Sequence, residues 1–232
     1  LPVLFFTSVS RNVLNTLLGA SAGVMLAATS FSLIVPGIEN GDTLWPGYGV
    51  YVVICGMLAG AVTLDIVDKM LPHEHFFTGP EGPSSRLKKI WLFVIAITIH
   101  NFPEGMAVGV GFGVGDIGQG TTLAIGIGLQ KFPEGLAVSL PLRREGLSRR
   151  KSFLMGQASG MVEPIAGVLG AVFVLQMQSI LPYALCFAAG AMIFVVVEEL
   201  IPESQAEKHS DVATIGVMLG FALMMGLDVG LG

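Results

Sequence analysis

Seven apolar stretches follow one another along this chain, each near the roughly 20 residues an α-helix needs to cross a hydrocarbon core. They lie at about 13–37, 49–71, 90–115, 120–142, 153–176, 180–202 and 212–230. Composition agrees: 53% of the 232 residues are hydrophobic and 12% are charged, against about 25% charged in a soluble domain. The expected fold is an all-α polytopic membrane bundle forming a single transmembrane domain over 1–232. No secretory signal is visible, and Leu1-Pro-Val-Leu-Phe-Phe reads as the tail of a further span. Cys55 and Cys186 sit inside apolar segments and form no redox or metal motif.

Charge placement orients the bundle. If the seven segments alternate, eleven of the twelve Lys and Arg residues fall on one side, and the twelfth, Lys131, is in mid-span. The opposite side carries Glu39, Asp42 and Asp116 and no basic residue. The positive-inside tendency makes the basic side cytoplasmic and the C-terminus external, in the cell's inner membrane. Two connections stand out: a polar loop at about 72–89, and Arg143 to Lys151, which is dense in arginine.

The ionisable residues in mid-span are concentrated in two related motifs. His100-Asn101-Phe102-Pro103-Glu104-Gly105 returns thirty residues later as Gln130-Lys131-Phe132-Pro133-Glu134-Gly135. A charge at that depth costs about 2.5–3.5 kcal/mol, so it marks a functional site by default. His100 and Glu104 are four apart and share one helical face, as do Gln130 and Glu134; Asn101 lies close to the same face. Each glutamate follows a proline, which has no N–H and clashes with the carbonyl four residues back. The carbonyls of Ile99 and Leu129 are therefore expected to be free. Imidazole, carboxylate and amide oxygen together suit a borderline divalent metal such as zinc. The competing reading is a pair of proline kinks whose polar residues bond between helices. It leaves two buried glutamates without a cation.

Other residues extend the pattern. Glu163, beside Pro164 in the fifth segment, either joins the same cage or bonds, protonated, to a neighbouring helix. Glu104, Glu134 and Glu163 sum to −3 and Lys131 adds +1, leaving −2 for one divalent cation to cancel. Lys131 itself is either a structural counter-ion or the occupant of a second metal's position. Met25 is a soft ligand candidate, although packing is the first explanation for a methionine in an apolar helix. Glu198 and Glu199, near the cytoplasmic end of the sixth segment, and Glu39 and Asp228, at outer ends, read as solvated carboxylates. As a pair of vestibules they would draw cations. His73 and His75 open the polar loop, equally a loose metal site and a solvated linker, and His209 says nothing alone.

A weak internal repeat is also present. Ala22-Gly23-Val24-Met25 leading to Pro36 resembles Ala189-Gly190-Ala191-Met192 leading to Pro202, and each following segment carries Leu-Asp. The two copies run in opposite directions, an arrangement found in secondary transporters with the site at the repeat interface. Chance similarity among Gly/Ala/Leu-rich helices is the alternative.

The paired Pro-Glu-Gly motifs, Met-Val-Glu-Pro at 161–164 and Glu-Glu-Leu-Ile-Pro-Glu at 198–203 resemble the ZIP (Zrt/Irt-like protein) family of divalent-metal transporters, in its prokaryotic GufA-type branch. The resemblance covers nearly the whole chain. It implies eight spanning helices, seven complete here, and uptake of zinc, with cadmium and other divalent metals possible cargo, toward the cytosol. His100, Glu104, Gln130 and Glu134 match the family's primary transport site, with Met25 nearby. Asn101, Glu163 and the two bridging glutamates match its second site. Lys131 departs from the pattern, because members with two metals place a carboxylate there. The resemblance further implies a homodimer, an elevator-type carrier mechanism, and a shortened cytosolic metal-binding loop at His73 and His75. Nucleic acid is not an expected partner. The rivals are a metal-gated channel and an intramembrane metalloenzyme using a metal-bound water; the chain has no His-Glu-x-x-His.

Overall fold

The computed structural model describes residues 10–75, 79–84, 89–113, 117–144, 146–205 and 210–231. The chain forms an all-α polytopic membrane bundle. The first rod comprises α1 (Arg11–Ala28), a π-helical segment (Thr29–Ile34) and α2 (Val35–Leu44). Next come α3 (Gly49–Met70), α4 (Lys89–Gly113) and α5 (Ile117–Arg144). Then α6 (Arg149–Gly160) and α7 (Val162–Gln176) follow, with a step at Met161. The last rods are α8 (Leu181–Val195), a second π-helical segment (Val196–Leu200) and α9 (Ile201–Gln205), then α10 (Ser210–Leu231). Among the described residues five helices are long and apolar enough to cross a membrane: Arg11–Leu44, Gly49–Met70, Arg149–Gln176, Leu181–Gln205 and Asp211–Gly230. The helices α4 and α5 run for 25 and 28 residues.

Local chemistry sets the ends. Ser10 caps α1 by accepting from the Val13 N–H, and Ser148 caps α6 by accepting from the Lys151 N–H. Between α2 and α3 the chain turns sharply at Gly47, whose φ of 82° is open to glycine. Asp42 Oδ1 closes that turn by accepting from the Gly49 N–H at 2.8 Å. The two π-helical segments have a common cause. Pro36 and Pro202 each lie two residues beyond one, and each ring would strike the carbonyl four residues back in a regular α-helix. Widening the turn to bonds five residues apart, Val35 N–H to Ser30 O and Ile201 N–H to Val196 O, moves those carbonyls aside.

Glycines set which helices meet. In a bilayer, small residues let helix backbones approach closely. The pairs are α1 with α10, α3 with α8, and α4 with α7. Gly23 faces the Val217 carbonyl, Gly190 the Met57 carbonyl and Gly109 the Gly167 carbonyl. The two rods with π-helical segments therefore exchange partners: the first packs on the last helix, and the α8 rod packs on α3. The helix α5 lies among α1, α4, α6 and α10, and this places its motif inside the bundle. Outward faces of α3, α7 and α10 expose Leu58, Val62, Val168, Phe173, Met218 and Leu219, as lipid-facing helices do.

Three elements differ in extent or order from the sequence reading. The first span extends from 11 to 44 rather than 13–37, because the π-helical turn carries the helix past Pro36. The 153–176 span begins at Arg149 and steps at Met161. The start of the 72–89 loop is ordered: β1 (His73–His75) pairs antiparallel with β2 (Gly79–Glu81), and β1 packs on α4.

Candidate metal centre

The helices α4 and α5 bring both motifs to one point. Burial is nearly complete: Glu104 is 0% exposed, Gln130 2%, Asn101 5%, His100 6% and Glu134 8%. Glu104 is the hub. Its Oε1 lies 3.2 Å from His100 Nε2 and accepts from Gln130 Nε2 at 2.9 Å. Its Oε2 contacts the Lys131 ammonium. Lys131 Nζ also reaches Asn101 Oδ1 at 2.8 Å, Glu163 Oε1 at 2.9 Å and Glu134 Oε2 at 3.1 Å. Glu163 arrives from the first turn of α7, held there because Gly105 packs directly on its backbone.

One side of this network is left short of donors and acceptors. His100 Nε2, Gln130 Oε1 and both Glu134 carboxylate oxygens are buried without a hydrogen bond among the described residues, although His100 Nε2 and Glu134 Oε2 keep ion-pair contacts with Glu104 and Lys131. Ligand atoms of His100, Glu104 and Glu134 lie within 4.8 Å of one another. An imidazole nitrogen and two carboxylates at this spacing can take the place of water around a borderline divalent cation.

A cavity of about 350 Å³ reaches the cluster. It runs from Lys131, Glu134 and Glu163 past Val138, Ser139, Phe153 and Gln157. These positions lead toward the C-terminal end of α5 and the N-terminal end of α6, where Arg143 and Arg149 to Lys151 lie. In the other direction buried side chains are packed between α1, α5 and α10 among the described residues. Leu123 and Met224 are wholly buried and Ile127 is 4% exposed, while α5 at Gly126 packs on Met224 and Val24.

The remaining sequence candidates divide. Met25 is wholly buried on α1. It is four residues from Ser21, whose hydroxyl donates to the Gln130 carbonyl at 3.4 Å. It therefore sits in the core on the face turned to α5. Glu39 is exposed on α2, and Glu198 is exposed beside a separate cavity with Asp65, Asp68 and Lys69. Asp228 is not simply solvated: it is half-buried and accepts from the Ser32 hydroxyl at 2.6 Å, in the first π-helical segment.

Two side chains read as solvated lie against partners instead. Glu199 is no solvated end carboxylate: its Oε2 lies 3.3 Å from His100 Nδ1, and its side chain is 11% exposed. Glu199 turns inward within the π-helical segment ahead of Pro202 while Glu198 stays outside. His73 is buried rather than solvated. It is 1% exposed, with Nδ1 2.8 Å from the Leu71 carbonyl and Nε2 3.0 Å from Asp68 Oδ1. The pair docks the hairpin on the end of α3. The backbone of His75 pairs with Gly79, its side chain lies outside those described, and His209 lies outside the described residues.

Comparison with known proteins agrees with this architecture. The family model described as ZIP Zinc transporter matches residues 80–228. The chain is 43% identical to Zinc transporter ZIPB of Bordetella bronchiseptica over 228 residues, which is 97% of this chain and 74% of that protein. It is 38% identical to Zinc transporter ZIP11 of Homo sapiens over 315 aligned positions, covering 99% of this chain and 92% of that protein. It is also 38% identical to Zinc transporter GufA of Myxococcus xanthus over 235 positions, covering 100% and 92%. Helices, motifs and relatives lead to one conclusion: this multi-pass membrane protein belongs to the ZIP zinc transporter family.

Proposed function

We propose that the chain carries divalent transition metal, zinc above all, into the cytoplasm, and that His100, Glu104, Gln130 and Glu134 hold the ion midway. One observation supports this most: ligand atoms of His100, Glu104 and Glu134, all three buried, lie within 4.8 Å of one another. Leaving such groups bare in a bilayer is costly, and a cation satisfies all of them together. The relatives named zinc transporters make zinc the first candidate. Cadmium fits the same donors.

Direction rests on the cavity. It leads to the ends of α5 and α6 that carry the arginines, the side that the positive-inside tendency assigns to the cytoplasm. The packed layer of Leu123, Ile127 and Met224 seals the opposite route. A site open to one side and closed to the other is what alternating access requires of one of its states. A second, apolar cavity of about 450 Å³ separates α4 and α7 from α8, lined by Met106, Leu169, Phe173 and Phe187. This loosely filled seam suits a carrier in which the α4–α7 block slides against α1, α3, α8 and α10.

Counterflow tests carrier against channel. Vesicles holding purified protein and preloaded with zinc should take up labelled zinc faster than empty ones, with saturable initial rates. Rates rising linearly with external zinc and indifferent to preloading would identify a channel.

Glu199 should act through His100. A carboxylate on one ring nitrogen orients the imidazole and leaves the other nitrogen to the metal, and losing such a partner costs about 10–100-fold in affinity. Glu199→Ala should raise the half-saturating zinc concentration about 10-fold with little loss of maximal rate. Glu199→Gln should recover most of it, since its amide oxygen still accepts from Nδ1–H. Identical kinetics in all three proteins would remove Glu199 from the centre.

A further inference from the structure

We infer that one acyl chain of a membrane phospholipid lies in the seam between the α4–α7 pair and α8, with its headgroup end at an aromatic rim formed by Trp45, Tyr48, Tyr51 and Tyr183. Among the described residues the seam holds a cavity of about 450 Å³. Of the side chains that line it, only Tyr183 carries an oxygen or a nitrogen. Water has too little to bond there, since a buried water makes about three hydrogen bonds. The cavity opens on the outward face of the bundle, where Leu169 is 58% exposed, Phe173 52% and Phe102 40%. In a bilayer the medium on that face is hydrocarbon, which leaves no polar group unsatisfied. It also restores the dispersion contacts that an empty groove forfeits.

The groove has the length of one leaflet. Its lining on α4 runs from Val110, near the end of the helix at Gly113, down to Phe102 at mid-helix. Eight residues of helix measure about 12 Å, most of the roughly 15 Å that one leaflet contributes to the hydrocarbon core. On α8 the lining runs from Tyr183 to Phe187. A chain laid parallel to these helices therefore fits. Its tip comes to Phe102, which stands between Asn101 and Pro103 of the first motif.

The other end of the groove is aromatic. Tyr183 also lines a second cavity of about 360 Å³, together with Trp45, Tyr48, Tyr51 and Cys55. Trp45 and Tyr183 meet edge to face with ring centroids 5.6 Å apart, and the rings of Tyr48 and Tyr51 stand 6.0 Å apart. These residues lie at the α2–α3 turn and at the start of α8, the ends of their spans. Trp and Tyr gather at that level because their amphipathic rings suit the headgroup region. An apolar groove and an aromatic rim that share one tyrosine match a molecule polar at one end and apolar along the rest. The orientation proposed above makes this an outer-leaflet lipid, while the seam itself is independent of that orientation.

Photolabelling tests this on the full chain in phosphatidylethanolamine vesicles. They contain a small fraction of phosphatidylcholine, present in both leaflets, with a diazirine on one acyl chain, either near the ester or near the methyl end. Labelled peptides are read by mass spectrometry. The near-ester probe should mark residues 180–184, and the methyl-end probe Phe102 and Phe187. Both should label the seam several times more strongly than Leu58 and Val62 of α3, which are exposed to bulk lipid. Ala184→Trp places a ring in the groove and should lose the seam labelling while keeping that on α3. Ala184→Leu guards against misfolding of the tryptophan variant and should lose part of the labelling. Seam labelling no stronger than that of α3, or unchanged in the folded Ala184 variants, overturns the proposal. Unlabelled seam peptides would mean that protein rather than lipid fills the space, and marks at one depth from both probes would mean a chain not anchored at the rim; either result also overturns it. His100→Ala should label as the wild type does, so failure of the metal reading is seen separately, in uptake.

Discussion

Zinc uptake into vesicles should fall to background in Glu104→Ala. Glu104 is the hub of the centre: it touches His100, Gln130 and Lys131 and is wholly buried. Loss of an outer partner of a metal ligand already costs about 10–100-fold, so removal of the shared carboxylate should bring uptake below about one hundredth of wild type. The alanine also strands Lys131 and Gln130 beside an apolar gap, and breaking a buried ion pair costs about 3–5 kcal/mol. Glu104→Gln separates the two effects. It keeps volume and hydrogen bonding, so the variant should elute as folded protein in size-exclusion chromatography and still fail to transport. Uptake by Glu104→Gln at anything near the wild-type rate would show that the ion does not use this carboxylate.

How much of this was legible in the sequence depends on the distance over which each feature is determined. The 4-residue spacing of His100 and Glu104, and of Gln130 and Glu134, is local, and a helix turns it directly into a shared face. That these two faces meet follows from burial: two amphipathic motifs in otherwise apolar helices have only each other to face. The reach of Lys131 to Asn101 and Glu163 also follows, once three carboxylates and one ammonium are confined in a bilayer. Glu199 is different. It stands 99 residues from His100, and neighbours about 100° apart on a helix commonly differ in burial, so the Glu-Glu pair does not itself say which of the two turns inward. The packing of the α8 rod against α4 decides it. His73 was obscured for a similar reason, since a polar loop shows no sign that a two-stranded hairpin will bury its first residue against Asp68. Partner choice between helices was illegible as well. Gly19 and Gly23, like Gly216 and Gly220, mark faces built for close approach. A glycine face does not say which other face it fits.

That last property makes the α4–α7 contact the place where packing and transport should fail together. A side chain at Gly109 would run into the Gly167 carbonyl, and one at Gly105 into the backbone of Glu163. Gly109→Leu must therefore push the two helices apart or distort one of them. Forcing extra atoms into a packed interface costs about 1–3 kcal/mol, and here the obstacle is backbone, which has no rotamer to give way. The helices cannot separate without drawing Glu163 from Lys131, now 2.9 Å away. Gly109→Leu should thus lower the unfolding temperature of the detergent-solubilised protein by several degrees and reduce zinc uptake, with Gly109→Ala intermediate. Gly128, on α5 near the second motif, supplies the contrast, because a Cβ there meets nothing within 4 Å. Gly128→Ala should leave transport intact and gain up to about 1 kcal/mol from helix propensity. If Gly109→Leu melted with the wild type, the close approach of α4 to α7 would not be what holds Glu163 in the cage.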